Sequence, residues 1–92
     1  MRHYKTLTEA KQHLPEIVDR INDCKIMFDA CTMMLSDIQR WCVEETVDPT
    51  KDHGRWTTLE AYTETFKNQM SFMAEIEYLQ SIVDKIKTHP EI

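Results

Sequence analysis

Residues 14–42 read LPEIVDRINDCKIMFDACTMMLSDIQRWC, and within them nine apolar positions recur at alternating steps of three and four: Leu14, Ile17, Ile21, Cys24, Phe28, Cys31, Leu35, Ile38 and Cys42. A heptad seam held for about four repeats predicts one long helix built to lie along another helix. Such a seam specifies packing and carries no chemistry, so function must be sought in what the seam leaves over. Beside it, Met27, Met34 and Trp41 widen the apolar face beyond the stripe that one neighbouring helix covers, and Ile26 and Met33 lie further round.

Outward from the seam, Thr6-Leu7-Thr8-Glu9 has capping-box spacing and predicts a helix start near Leu7. Pro15 then interrupts, because it lacks an N–H and its ring crowds the preceding turn; a short helix ending near His13 and a single kinked helix are both compatible with it. The segment from Val47 to Trp56 contains the sole glycine and predicts a loop. Thr57-Thr58-Leu59-Glu60 repeats the capping spacing, with Trp56 at the position of a hydrophobic staple. A second helix follows to about Thr88, before Pro90, with an expected apolar face of Leu59, Tyr62, Phe66, Met70, Met73, Ile76, Leu79, Val83 and Ile86.

The expected organisation is therefore one all-α domain over 1–92: an N-terminal segment 1–13, a long helix 14–46, a loop 47–56 and a second long helix 57–88. Two long helices joined by one loop fold back as an antiparallel hairpin. The surplus at Met27, Met34 and Trp41 predicts a further helical surface, and a homodimer closing a four-helix bundle supplies it. The same hairpin is expected to bring Met27, Met33 and Met34 beside Met70 and Met73 as a repackable methionine cluster.

A chain of 92 residues with net charge −5 argues against a nucleic-acid binder, which needs clustered Lys and Arg to meet phosphates. No run is apolar enough for a membrane span and no signal-peptide core opens the chain, so the expected address is cytoplasmic. Three cysteines, all on the seam, read as buried reduced thiols. Histidines at 3, 13, 53 and 89 have no metal-ligand spacing, and no phosphate loop can be built from one glycine. No cofactor, metal or catalytic set is expected, and an enzyme is disfavoured.

Two polar constellations remain. Glu16, Asp23, Asp37 and Glu44 repeat every seven residues as an acidic ridge, with Ala30 at its gap. Arg40, Trp41, His53, Arg55 and Trp56 gather at the loop end and form a candidate aromatic–basic pocket for a small anion or nucleotide.

The run from Thr6 to Ile21, TLTEAKQHLPEIVDRI, resembles the opening helix of Phd/YefM-type antitoxins, with their T-x-x-E-A-x-x-x-L-x-x-L-L-D-x-V pattern. The resemblance covers about one sixth of the chain. In that family strands follow and build a DNA-binding dimer, whereas Asn22 to Val43 here continues the helical seam. The preferred functional reading is a non-enzymatic helical hairpin that self-associates and binds another protein as a small regulator, inhibitor or adaptor, with Ile26, Met27, Met33, Met34 and Trp41 as its interaction surface. A ligand-binding helical oligomer and an acidic mimic of nucleic acid are the alternatives.

Overall fold

A computed structural model of the chain describes residues 3–44, 52–53 and 56–89. It is an antiparallel helical hairpin. Helix α1 spans Leu7–Gln12, α2 spans Leu14–Glu44, a two-residue ladder pairs β1 (Asp52–His53) with β2 (Trp56–Thr57), and α3 spans Thr58–Thr88. The ladder is a small departure from the all-helical expectation. Two residues a side are too short to show alternation in the sequence; Asp52, His53 and Trp56 fall in the expected loop, while Thr57, expected to open the second helix, precedes its start at Thr58.

Each helix boundary has a local cause. Thr6 caps α1, its Oγ1 accepting the Glu9 N–H at 3.1 Å. The Glu9 carboxylate accepts from the Lys5 N–H instead of closing the reciprocal half of the box on Thr6. His13 ends α1, and its carbonyl then accepts the Ile17 N–H, so Pro15 sits in the first turn of α2, where its missing donor costs nothing. The break at His13 decides between the two readings of Pro15: two helices meet there. Helix α2 then continues unbroken past Ile21, so the strands expected of a Phd/YefM-type antitoxin do not follow.

The hairpin register is written in cross-helix contacts whose α2 partner rises as the α3 partner falls: Arg20 with Glu75, Thr32 with Gln69, Gln39 with Tyr62. At the open end the core is a cluster of Ala10, Ile17, Ile21, Leu79, Ile82, Val83 and Ile86, with Tyr4, Leu7, Leu14 and Tyr78 packed around it. Helix α1 lies across this end and touches both long helices. Toward the loop the core thins to Cys31 and Leu35 from α2, with Thr65 and Gln69 from α3.

That last pairing corrects the expected face of α3. Leu59, Phe66 and Met70 are exposed, the last two at 46% and 42%, while Thr65 and Gln69 are buried at 7% and 8%. The reason is the stiffness of a straight helix. Counting back from Val83 by alternating fours and threes lands on Leu79, Ile76, Phe72, Gln69 and Thr65, and the apolar side chains leave that track above Phe72. Burial of the polar pair is tolerated because both are bonded. Gln69 Nε2 donates to Thr32 Oγ1 at 2.6 Å, Thr32 donates to the Phe28 carbonyl, and Thr65 donates to the Ala61 carbonyl.

The asymmetry between ends predicts where truncation matters. Ile17→Ala, which empties a fully buried site, should lower unfolding free energy in urea by about 2–4 kcal/mol, while Ile26→Ala on the outer face should change it by less than about 0.5 kcal/mol.

Candidate interaction surfaces

The two flanks of the hairpin are distinguished by what crosses them. On one flank Arg20 binds Glu75 through Nε and Nη2, and α1 packs against α3. On the other, Lys25, Phe28 and Asp29 of α2 line a cleft of about 310 Å³ with Met73 and Ile76 of α3. At about 100° per residue, Met27 and Met34 fall on the Arg20 flank, and Met70 falls with Met73 on the cleft flank. The expected methionine cluster is therefore split: the seam lies between its two halves.

The outer face of α2 carries a contiguous patch. Ile26, Met27, Ala30, Met33 and Met34 stand at positions i, i+1, i+4, i+7 and i+8, and the first, second, fourth and fifth are 67%, 48%, 68% and 53% exposed. Trp41 continues it toward the loop and is exposed as well. The acidic residues Glu16, Asp23, Asp37 and Glu44 are all exposed and run along the same outer face, so the gap in their column at Ala30 coincides with the centre of the apolar patch. Asp23 and Asp37 close the patch at its two ends, each about 10.5 Å along the axis from Ala30. Asp37 pairs with Arg40, Glu16 bonds to the His13 ring, and the charge of Asp23 acts on Arg20.

Sequence reasoning misses a second column, because hydrophobicity alone assigns its members to the hairpin core. On α3, Leu59, Phe66 and Met70 are exposed and Met73 is half-buried, all on the cleft flank. The signal that finds it is the register count back from Val83, which leaves Leu59, Phe66, Met70 and Met73 off the track that packs into the seam.

The aromatic–basic pocket is only partly placed. Arg40 and Trp41 lie on the last turns of α2, and the backbone of His53 pairs with that of Trp56 across the ladder. Arg55 and the side chains of His53 and Trp56 lie outside the described residues.

Where the covered and bare parts of the Arg20 flank meet, one polar cluster is locked. Glu75 accepts from Arg20 and from the Cys24 thiol at 3.1 Å. Hydrogen bonding to Arg20 holds the Glu75 carboxyl below the usual carboxylate range, and the same bond raises the guanidinium further. Burial, then the bond to Glu75 and its charge, push the Cys24 thiol from 9.0 up to about 11. A protonated, fully buried thiol is a poor nucleophile, so the arrangement fastens α2 to α3 and presents no reactive group.

Among the described residues no group of three or more His, Cys, Asp or Glu is placed to hold a metal ion, and no helix is long and apolar enough to cross a membrane. Comparison with protein-family models, curated proteins and solved structures gave no match to any of them.

The locked cluster has a pH signature. The raised Cys24 pKa contributes stability that is complete below 9.0 and is lost as pH rises toward about 11, whereas the lowered Glu75 pKa contributes stability present above the ordinary carboxylate value and lost as pH falls through the lowered one. Urea unfolding of Cys24→Ala should lose the alkaline limb, and Glu75→Gln should lose the acid limb. An unchanged profile in both variants would contradict the cluster.

Proposed function

We propose that this chain is a non-enzymatic helical hairpin that self-associates, closing a four-helix bundle, and acts by binding another protein as a small regulator, inhibitor or adaptor. The observation that carries the reading is surplus apolar surface. Ile26, Met33, Met34 and Leu59 are more than half exposed, and the chain's total accessible surface, polar and apolar together, is 6699 Å² against about 5,600 Å² for a compact chain of its mass. Its radius of gyration is 18.3 Å, against about 12 Å for a compact domain of this length. The surplus includes side chains such as Met33 and Phe66, whose exposure in an isolated hairpin has no packing role.

The α2 patch describes its partner. Apolar contact is available at Ile26, Met27, Met33 and Met34, with Asp23 and Asp37 about one turn beyond its two ends. A complementary surface presents apolar side chains flanked by Lys or Arg at matching distance, as a basic amphipathic helix does. Methionine suits such a site because its thioether chain repacks around different shapes.

The test is binding of a Leu/Lys amphipathic helical peptide, compared with an otherwise identical Leu/Glu peptide, followed by tryptophan fluorescence. The Lys peptide should bind at least tenfold more tightly, its affinity should fall with added salt, and Met34→Asp should abolish the response. Equal binding of the two peptides would overturn the reading of this surface.

A further inference from the structure

At the open end a second cleft, of about 420 Å³, lies between the segment before α1, α1 itself and α3. Its volume falls within the roughly 300–1,000 Å³ that small-molecule sites occupy. Leu7, Ala10 and Ile82, all buried or half-buried, give it an apolar floor. The charged residues that line it are Lys5 and Lys85, both exposed, and no lining residue carries a carboxylate. Among the described residues neither ammonium group has a carboxylate within ion-pair distance. Two lining hydroxyls are set as donors. Thr6 Oγ1 already accepts the Glu9 N–H at 3.1 Å and the Tyr78 oxygen accepts the Tyr4 N–H at 3.3 Å, and neither hydroxyl proton is taken up by another described residue. His3 packs edge-on against the Tyr78 ring at 5.0 Å, which holds that ring in place.

We propose that this cleft binds a small phosphate monoester with an apolar body, its head group meeting Lys5, Lys85 and the Thr6 and Tyr78 hydroxyls and its body lying on Leu7, Ala10 and Ile82. The site goes beyond the functional reading above and stands or falls independently of it. Charge selects the class of ligand. A chain of net charge −5 repels anions at large, so an anion is held only where donors gather, and this cleft gathers two ammonium groups and two hydroxyls without a carboxylate. A phosphate monoester is close to a dianion at neutral pH and carries three acceptor oxygens, which that donor set matches better than it matches a carboxylate. The apolar floor selects the other half, because bare inorganic phosphate leaves Leu7 and Ile82 facing water. A bound ester reaches from Lys5, ahead of α1, to Lys85 on α3 and fastens the N-terminal segment to the hairpin.

Titration of the full chain with phenyl phosphate, followed by backbone amide NMR, tests this. Shifts should saturate at the amides of Lys5, Thr6, Ser81 and Lys85 and leave those of Lys25, Phe28 and Asp29, at the other cleft, unmoved. Inorganic phosphate and phenol, each lacking one half of the ligand, should bind more than about tenfold more weakly. Lys5→Gln and Lys85→Gln should each raise the dissociation constant about three- to fivefold, the effect of one exposed charge contact, while Lys25→Gln leaves it unchanged. All three substitutions are at exposed positions, so the fold is not at stake. Shifts that never saturate or that gather at the other cleft, or Lys5→Gln and Lys85→Gln binding as the wild type does, overturn the proposal. Inorganic phosphate binding as tightly as phenyl phosphate overturns it as well, since the apolar floor then contributes nothing.

Discussion

The rotation of α3 about its own axis is fixed at the open end, and everything else in the hairpin follows from it. Leu79, Val83 and Ile86 are buried against Ile17 and Ile21, with Ala10 of α1 closing the cluster, and the Arg20–Glu75–Cys24 cluster locks the next turn. A straight helix transmits that rotation along its whole length. Thr65 and Gln69 are thereby carried into the seam and Phe66 and Met70 out of it, although hydrophobicity alone would have placed them the other way round. Packing at one end thus decides what surface the other end shows.

The cost of that arrangement is limited by hydrogen bonding. Gln69, Thr32 and Thr65 form a small polar layer whose donors end on one another or on carbonyls of the preceding turn. Polar residues placed singly on an otherwise apolar seam are known devices for fixing register, since a slip leaves them buried without partners. Here the layer ties Thr32 to Gln69 and keeps α3 from sliding to bring Phe66 inward. The exposed α3 column is in this sense enforced twice, from the open end and from the middle.

How legible this was in the sequence varies along the chain for identifiable reasons. The α2 seam obeys one period without a lapse, so its buried residues, Ile17 through Leu35, follow from spacing alone. Helix α3 changes its apolar track near Phe72, and a reading that follows hydrophobicity changes face with it, whereas the backbone does not. Pro15 is acceptable both in a first turn and at a kink, so only the capping at His13 resolves it. The outer patch of α2 was readable because Ile26 and Met33 lie too far round to meet any helix that the seam meets. The α3 column was not, because its residues looked accounted for.

The unequal halves of the hairpin also bear on the order in which it forms. Near the loop, Gln39 and Tyr62 are 23 residues apart, while at the locked cluster Arg20 and Glu75 are 55 apart. Closing the longer span costs only about 0.8 kcal/mol more, since closure entropy grows with the logarithm of length. The contacts that come cheapest in entropy, those beside the loop, are the polar ones, and the rich apolar contacts lie at the far end. A zipper running outward from the turn therefore gains little until it is nearly complete. Such a chain should collapse first at its open end, around Ile17 and Val83, and let the loop half settle last.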